Sequence, residues 1–384
     1  MKICFVGATN LAVLAPEYRQ HTFGGEAVQQ TLLALALARR GHEVSMAVQD
    51  YGQPDGAEWN RVRVFKTYPP GGGVPVLRFV HPRWTGTWSA LARADAALYY
   101  VSEAGMQVGL VALFCRRHRR RFVFRTASDA DCDPSRLFVR YARDRRLYTF
   151  GLRRADAILV QSAAQARTLA RNYGLASRVA RMLVELPRPV VRARDIDVLW
   201  VGSMRRVKRP DRVLELAAAL PAASFHVVGG AAPGQEPLFR EMQQVAAGRA
   251  NLFVRGPLSY RETNELYGRA RVLVNTSEIE GFPNSYLQAW IRGVPVVTMF
   301  DPDRLVEREG LGIAAAGPAQ VAGALETLLA DPGAWQAASD RSRRFMAREY
   351  GEDKVLADYL DTFDAVTRNG MSARAVVSGD ARHA

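Results

Sequence analysis

Short apolar runs alternate with longer amphipathic segments along nearly the whole chain, and this alternation restricts the fold more than any other feature of the sequence. Strand-length apolar runs separated by helix-length segments favour parallel sheets covered by helices on both faces, so we predict the α/β class. In the first half, strands are predicted at Ile3–Val6, Glu43–Val48, Arg63–Thr67, Ala96–Val101, Phe122–Thr126 and Ala157–Gln161.

A glycine pair opens the helix predicted from about Gly25 to Arg40, and Gly41 follows it as a helix-ending glycine. Gly24 and Gly25 leave the N–H groups of the helix terminus unobstructed, and that geometry suits a diphosphate. A plain turn before a helix is the alternative. The residues after the first strand, Gly7-Ala8-Thr9-Asn10, do not form G-x-G-x-x-G, which disfavours a dinucleotide-dependent oxidoreductase.

A stretch with two prolines and no helical period divides the chain at residues 187–194, and we place an interdomain linker there. It follows the strand-like run Ala180–Leu186. The α/β pattern then restarts, with strands predicted at Asp197–Gly202, Phe225–Val228, Leu252–Arg255, Val272–Asn275 and Pro295–Thr298.

The length of 384 residues also predicts two domains, because one core rarely serves so long a chain. We assign residues 1–190 to an N-terminal Rossmann-like domain and residues 196–350 to a second one. A last helix is predicted at Glu352–Arg368. The polar, alanine-rich tail at 371–384 is expected to be disordered.

Composition excludes several classes of protein. The longest apolar candidate for a membrane span, Val108–Phe114, is far shorter than the ~20 residues needed. The first residues resemble a buried strand more than a secretory signal. The three cysteines, Cys4, Cys115 and Cys132, form no C-x-x-C pair, so we expect a reducing, cytoplasmic setting and no metal site.

The formal charge of +14 raises the question of a polyanionic partner. Nearly all of it is arginine, a bias that codon usage can also produce, so we expect no nucleic-acid partner. The densest basic regions are Arg116–Arg121 and the arginines between Arg140 and Arg154. We expect the Arg116–Arg121 region to contact an anionic membrane peripherally, or to hold an anionic glycan.

A basic loop follows the first strand of the second half. It contains Gly202, Ser203, Arg205 and Lys208, and it lies where open α/β sheets bind ligands. Its cations can neutralise a pyrophosphate leaving group. A solvated basic loop is the alternative, although Lys208 is one of only four lysines, the others being Lys2, Lys66 and Lys354.

The most informative stretch runs from Asn275 to Val297 and predicts strand, polar loop, helix, tight turn and strand. Glu280 is predicted in the loop above the sheet. Pro283, Asn284 and Ser285 are predicted to begin a helix whose free N–H groups can receive sugar hydroxyls or phosphate oxygens. A helix-capping role is the alternative for Glu280.

This stretch resembles the E-G-F-G-x-x-x-x-E signature of family 4 of the retaining glycosyltransferases, also called group 1. The order of four landmarks agrees: Gly24-Gly25, the segment 155–162, the Gly202–Lys208 loop and the Glu280 stretch. The resemblance implies a GT-B fold, in which two Rossmann-like domains face a central cleft and the C-terminal helix, here 352–369, returns to the first domain.

The resemblance also implies roles for individual residues. Gly24 and Gly25 would approach the donor diphosphate, Lys208 would contact its phosphates, and Glu280 would meet the donor sugar. The remaining residues expected to bind substrate are Gly202, Ser203, Arg205, Gly281, Phe282, Pro283, Asn284, Ser285 and Gln288. The co-substrate would be a nucleoside-diphosphate sugar of the UDP or GDP type, with no other cofactor and no metal.

Three positions depart from the family pattern. The second glutamate of the signature is Gln288, which keeps hydrogen-bonding capacity without charge. The arginine that usually follows the glycine at Gly202 is Ser203, so Arg205 or Arg206 must supply that charge. The histidine often found after the Phe122–Thr126 strand is absent, and we predict that Asp129 or Asp131 contacts the reacting sugar or the acceptor.

The predicted function is a retaining, metal-independent transfer of a hexose-type sugar to a glycan or lipid-linked acceptor, in the synthesis of a cell-surface polysaccharide or glycoconjugate. Two alternatives stay open. One is a non-catalytic sugar-nucleotide or polyanion-binding protein on the same fold. The other is an epimerase that changes the sugar of the nucleotide with no acceptor.

Overall fold

The computed structural model of the chain describes residues 1–21, 23–187, 193–232 and 234–368. Most of the predicted linker and all of the predicted tail at 371–384 lie outside these residues. Contacts divide the chain into two compact units. Met1–Leu183 and the segment from Glu352 onward form the first unit, and Val184–Gly351 forms the second.

The first unit is built on an eight-stranded sheet. Its strands are β1 (Lys2–Val6), β2 (Glu43–Val48), β3 (Glu58–Trp59), β4 (Val62–Lys66), β5 (Leu98–Ser102), β6 (Arg121–Arg125), β7 (Ala157–Val160) and β8 (Arg178–Val179). The strand order is β3-β4-β2-β1-β5-β6-β7-β8, and only the β3–β4 pair is antiparallel among these described neighbours. The direction in which strands are added therefore reverses between β1 and β5.

Helices cover both faces of this sheet. They are α1 (Leu11–Leu14), α2 (Gly25–Arg39), α3 (Thr85–Ala94), α4 (Met106–His118), α5 (Ala142–Leu152) and α6 (Ala163–Tyr173). Successive side chains of a strand point to opposite faces. Tyr99 accordingly packs on Phe114 of α4, whereas its neighbour Tyr100 packs on Phe5 and on Phe363 near the C-terminus.

The second unit contains a six-stranded parallel sheet. Its strands are β9 (Ile196–Val201), β10 (Phe225–Val228), β11 (Leu252–Gly256), β12 (Ala270–Asn275), β13 (Val296–Thr298) and β14 (Gly312–Ala314). Its helices are α7 (Asp211–Ala219), α8 (Glu236–Ala247), α9 (Tyr260–Arg269), α10 (Asn284–Trp290), α11 (Leu305–Glu309), α12 (Pro318–Ala330) and α13 (Pro332–Glu349). The strand order is β11-β10-β9-β12-β13-β14, so here the order reverses between β9 and β12.

The C-terminal helix α14 (Glu352–Arg368) belongs to the first unit. Tyr359 and Phe363 pack on Tyr100, and the Tyr359 hydroxyl donates to the carbonyl of Arg181 at 2.9 Å. Arg181 also pairs with Asp358 at 3.2 Å. The predicted return of this helix to the first unit is confirmed, as is the α/β class with two parallel-sheet units.

One predicted strand is wrong. Residues 180–186 contain no regular structure, although β8 ends just before them at Val179. Side chains satisfy part of this backbone instead of a neighbouring strand: Gln29 donates to the carbonyl of Leu183 at 2.9 Å, and Asp358 accepts from the N–H of Arg181 at 3.4 Å. An apolar run that is buried without a ladder looks the same in sequence as a strand.

No helix in the described ranges has the length and apolarity needed to cross a bilayer.

Candidate active site in the second unit

Open α/β sheets bind ligands at the carboxyl ends of their strands, at the point where the strand order reverses. In the second unit this point lies between β9 and β12, which pair in parallel through Val198–Val272 and Leu199–Leu273. The loop 202–208 follows β9, and the loop 276–283 follows β12. The topology therefore brings together two segments that are distant in sequence. Thr276 and Lys208, which are 68 residues apart, are joined by a hydrogen bond.

The first loop is fixed against the segment after β10. Gly202 and Met204 donate their N–H groups to the carbonyls of Val228 and Gly230, at 3.0 and 2.9 Å. Gly229 lies between them with a φ of 143°, and a Cβ atom there would come within 1.8 Å of the Gly202 oxygen. A residue with a side chain at 229 would therefore displace the loop, and sequence inspection did not single this glycine out.

Lys208 and Glu280 form an ion pair at the reversal point. Lys208 ends a short 3₁₀ turn, Arg206–Lys208, and Glu280 lies in the loop after β12. The other carboxylate oxygen of Glu280 accepts from the side-chain amide of Asn275 at 3.3 Å. Glu280 thus does not cap α10, whose N-cap residue is Pro283, and the alternative capping role is wrong.

A relay of hydrogen bonds holds the two loops in register. The Trp200 indole donates to the Thr276 hydroxyl at 3.0 Å, and that hydroxyl donates to the carbonyl of Lys208 at 2.8 Å. The N–H of Glu278 donates to the carbonyl of Val207 at 2.9 Å. Because Trp200 and Thr276 are fully buried, the position of Lys208 is set by the core of the sheet.

The two partners of the ion pair differ in exposure. The Glu280 side chain is 9% exposed, whereas that of Lys208 is 24% exposed. An ammonium group has three N–H donors, so a lysine paired with one carboxylate can still donate to a second anion. This arrangement can bind an anionic group of a ligand at Lys208 while Glu280 accepts hydrogen bonds from hydroxyl groups beside it.

The remaining cations of the loop fall into two groups. Arg209 makes a bidentate contact with Asp211 and also pairs with Glu278, at 2.6 and 2.7 Å. Arg205 and Arg206 are exposed to solvent. Either of these two can therefore supply the charge that an arginine at Ser203 would have supplied, which remains a prediction.

The other predicted donor-site residues continue from Glu280 into α10. Gly281 and Pro283 are buried, Asn284 and Ser285 are half-buried, and Asn284 is the first residue of the helix. The ring of Phe282 lies 6.3 Å from the rings of both Trp290 and Tyr350. Phe282 therefore anchors the loop to the aromatic core of the second unit.

Gln288 is held in place by two neighbours. Its amide nitrogen donates to the Tyr260 hydroxyl at 2.8 Å, and its amide oxygen accepts from Arg292 at 2.9 Å. The residue is only 4% exposed. The structure thus gives Gln288 two protein partners, and sequence inspection missed both Tyr260 and Arg292 because they lie outside the motif.

The first unit holds the other predicted site residues. Gly24 is the N-cap residue of α2 and Gly25 its first residue, and both are exposed. Gly24 has an ordinary extended φ of −103°, and no atom lies within 4 Å of where its Cβ would be. The local fold therefore does not require glycine at 24, and the approach of Gly24 and Gly25 to a donor diphosphate remains a prediction.

A second charged pair lies beside this glycine loop. Glu26, in the first turn of α2, pairs with Arg125 at the end of β6 at 3.4 Å. The Arg125 side chain is fully buried, and its Nε and Nη2 atoms have no hydrogen-bond partner in the described part of the chain. Burial raises the pKa of Glu26 to about 7, against the lowering effect of the Arg125 charge.

Asp129 and Asp131 have different environments. Asp131 is buried and accepts from the N–H groups of Ala127 and Ser128, at 2.7 and 3.3 Å, so it caps the 3₁₀ turn Asp129–Cys132. Burial raises the pKa of Asp131 to about 7. Asp129 is half-buried and accepts from Gln165 at 2.9 Å. Asp129 is thus the more accessible of the two carboxylates, and its contact with a sugar or acceptor remains a prediction.

No group of three or more His, Cys, Asp or Glu side chains that is able to hold a metal ion occurs among the described residues.

Two α/β units with reversed strand order and a helix that returns to the first unit define the GT-B class of fold, and the charged pair lies at the reversal point of the second sheet. Two family models match the chain. The model described as glycosyl transferases group 1 matches residues 195–331, and the model described as glycosyl transferase 4-like domain matches residues 24–187. The chain belongs to this family, the group 1 or family 4 type glycosyltransferases, and the predicted resemblance is confirmed.

Individual relatives are more distant. The D-inositol 3-phosphate glycosyltransferase of Xylanimonas cellulosilytica is 28% identical over 178 residues, which are 44% of this chain and 42% of that protein. The match therefore spans less than half the length of this relative.

Among solved structures, sucrose-phosphate synthase from Thermosynechococcus elongatus has a TM-score of 0.75 at 17% identity, covering 95% of this chain and 98% of that one. WaaG, a glycosyltransferase involved in lipopolysaccharide biosynthesis, has a TM-score of 0.67 at 16% identity, covering 96% and 100%. Both show the same fold.

Proposed function

We propose that this protein transfers a sugar from a nucleoside-diphosphate donor of the UDP or GDP type to a glycan or lipid-linked acceptor. The observation that carries the proposal is the Lys208–Glu280 pair, which lies at the strand-order reversal of a sheet matched by the group 1 family model. A cation and a carboxylate held side by side suit a ligand with a phosphate group next to sugar hydroxyls.

In the proposed mechanism, Lys208 offsets the charge that develops on the pyrophosphate as the glycosidic bond breaks. The exposed Arg205 or Arg206 adds to this stabilisation, and the backbone N–H groups around Gly24 and Gly25 contact the same diphosphate. Glu280 accepts hydrogen bonds from the donor sugar. No step requires a metal ion, since the positive charges of the chain itself take that part.

Asp129 is the proposed contact of the first unit with the reacting sugar or acceptor. It lies at the carboxyl end of β6, the sheet edge where ligands bind, and its partner Gln165 orients it. We further propose that the anomeric configuration is retained and that the transferred sugar is a hexose.

For the acceptor, we propose a lipid-linked or polysaccharide intermediate at an anionic membrane, contacted through the Arg116–Arg121 region. Arg116, Arg117 and Arg119 are exposed at the end of α4. Arg120 and Arg121 pair with Asp95 and Asp156 instead, so the charge offered to a membrane comes mainly from the first three.

A thermal-shift panel tests the donor site. UDP, GDP, ADP and their common sugar conjugates are added to the wild type and to the Glu280→Ala protein. One nucleotide should raise the unfolding temperature, more so for one sugar conjugate, and the substitution should remove the extra effect of the sugar. If no nucleotide shifts the transition, the donor site is wrong.

Transfer itself is tested by incubating the identified donor with and without acceptor glycans. A new glycosidic product whose anomeric configuration matches the donor supports the proposal. Conversion of the sugar nucleotide without any acceptor would indicate an epimerase, and binding without turnover would indicate a non-catalytic protein. Unchanged turnover of Asp129→Asn would remove Asp129 from the mechanism.

A further inference from the structure

The segment Val74–Val80 of the first unit exposes aliphatic side chains that folding does not account for. Val76 is 89% exposed and Leu77 is 65% exposed, and Val74 and Val80 are also exposed. Val76 has a φ of 74°, a conformation that a β-branched residue rarely adopts. Neither burial nor backbone preference thus explains the apolar side chains of this segment.

A second exposed segment, Phe138–Arg143, lies beside it. The guanidinium carbon of Arg143 is 3.4 Å from the centre of the Phe79 ring, and it is 5.8 Å from the ring of Tyr141. Arg140 lies 5.4 Å from the same tyrosine ring, and Phe138 is exposed. Arginines and aromatic rings therefore alternate across the junction of the two segments.

The same surface continues to the end of α4. The ring of Phe79 lies 5.9 Å from that of Trp84, and Trp88 follows one helical turn later, lining a shallow hollow with Trp84. Trp88 in turn lies 5.8 Å from His118, which adjoins the exposed arginines of α4. We call this set the aromatic–arginine surface. It consists of Val74–Val80, Trp84, Trp88, Arg116–Arg119 and Phe138–Arg143.

Acidic residues are absent from the segments that build this surface. The sequence has no Asp or Glu within residues 67–94, 104–128 or 134–143. Asp144 follows the last of these segments and pairs with Arg143 at 2.8 Å. The surface is therefore positively charged and, at Val74–Val80, apolar.

We propose that the aromatic–arginine surface docks the protein on an anionic lipid bilayer, with Val74–Val80 entering the boundary between headgroups and acyl chains. Aromatic rings favour the membrane interface, and arginines nearby are attracted to anionic headgroups. A nucleic acid or a free anionic glycan would bind the arginines but would leave the exposed valines and leucine in water. A bilayer satisfies both.

The inference rests on the proposed membrane contact for its choice of partner, and it does not rest on the proposed transfer reaction. It differs from that contact in two ways. The segment Val74–Val80, about forty residues before Arg116, inserts into the bilayer, and Arg140 and Arg143 join the arginines that face the headgroups. A purely electrostatic contact would use the arginines of α4 alone.

A fluorescent label tests insertion directly. Cys4, Cys115 and Cys132 are all buried, so a cysteine introduced by Val76→Cys can be labelled selectively with an environment-sensitive dye. Val179→Cys, at an exposed valine on β8 outside the surface, is the matched control. Vesicles of phosphatidylcholine with phosphatidylglycerol should shift the Val76 label to shorter wavelength and expose it to lipid-borne quenchers, and should leave the control label unchanged.

A second experiment separates insertion from charge. The double variant Val76→Asp/Leu77→Asp should lower the vesicle partition coefficient about tenfold or more, because two apolar side chains no longer enter the bilayer. Its nucleotide-dependent thermal shift should equal that of the wild type. Arg140→Glu/Arg143→Glu should weaken binding as well and should reduce its dependence on salt.

The proposal is overturned if the full-length protein does not float with anionic vesicles, or if it floats while the Val76 label stays in water. Equal binding to vesicles of phosphatidylcholine alone would also overturn it. In each of these cases an intact nucleotide shift would leave the proposed transfer reaction standing.

Discussion

Both sheets reverse their strand order beside the first strand, yet the cation of the charged pair near that point is fully buried in the first unit and partly exposed in the second. In the second unit the cation, Lys208, follows the first strand, and the carboxylate, Glu280, follows the neighbouring β12. In the first unit the order is opposite: the carboxylate, Glu26, follows the first strand and the cation, Arg125, ends β6.

The difference in the exposure of the two cations distinguishes a pair that can only be structural from a pair that can also bind a ligand. Arg125 contacts no solvent, so its charge can only serve Glu26 and the surrounding core. Lys208 keeps about a quarter of its side chain exposed and can gain a second anionic partner. In the first unit a polar chain, Asn10 to Gln30 to Ser102, fills the reversal point with hydrogen bonds of 3.0 and 2.6 Å.

The largest expected effect is on the stability of the first pair. Arg125→Met leaves the carboxylate of Glu26 in the core without its cation, and this should lower the free energy of unfolding by about 3–5 kcal/mol. The loss should be greater at pH 8.5 than at pH 5.5, because Glu26 can protonate at the lower pH. Urea unfolding measures it. Glu26→Gln/Arg125→Met should recover much of the loss, and a double variant as unstable as the single one would argue against the pair.

The converse prediction concerns the second pair. Lys208→Ala should lower turnover ~10²-fold or more, because one donor to the developing pyrophosphate charge is lost. The unfolding temperature should fall less than in Arg125→Met, since water can replace the partly exposed ammonium group of Lys208 beside Glu280. Lys354→Ala, at an exposed lysine of α14, is the control for removing a positive charge. Near-normal turnover of Lys208→Ala would contradict its assignment.

A smaller effect is expected from the titration of Asp131, a second buried carboxyl of the first unit. The pKa of Asp131, about 7, lies above the pKa of an aspartate in the unfolded chain. At a pH between these two pKa values, the folded state therefore binds a proton that the unfolded state has lost. Stability from this group therefore rises as the pH falls below 7, down to about 4. Its burial penalty is fully present above pH 7.

Thermal unfolding of the wild type and Asp131→Asn at pH 5.5 and pH 8 tests this sign. The wild type should gain on the order of 1–3 kcal/mol at pH 5.5 relative to pH 8 from this group, and the variant should lack that gain. The same pH dependence in both proteins would show that Asp131 is ionised in the fold at both pH values.

The smallest effect is expected from a substitution at Gly24, the N-cap residue of α2. Gly24→Ser should leave stability unchanged or slightly raised, because serine is a favourable N-cap residue and space surrounds the position. Turnover should fall about tenfold, since the side chain would lie where the diphosphate approaches. Gly268→Ser, at a helical glycine of α9 that is equally unobstructed, should leave turnover unchanged.

Much of the fold could be predicted from local patterns. The strands at Glu43–Val48 and Phe225–Val228 and the helix Glu352–Arg368 have the predicted bounds, because each combines a clear period with polar or turn residues at its ends. The run at 180–186 misled the prediction, since burial alone makes a segment apolar. The short strands β3 and β14 carry too few residues for a recognisable pattern.

The candidate site divides in the same way. Glu280 and Lys208 were identified from motif and residue type. Their pairing depends on two loops that meet only when β9 and β12 lie side by side. The partners of Gln288 and the backbone constraint at Gly229 were missed for the same reason, since Tyr260, Arg292 and Gly202 are distant from them in sequence.

The sequence by itself thus determined the α/β class, the two-unit organisation, the family and the residue types available for binding a nucleotide sugar. These follow from periodicity, turn residues and motif, which act over a few neighbouring positions. Only the tertiary structure decided which charges pair, which of the two cations reaches solvent, and which exposed side chains share a surface. Burial and electrostatic pairing depend on contacts between distant segments, and a linear pattern does not encode their geometry.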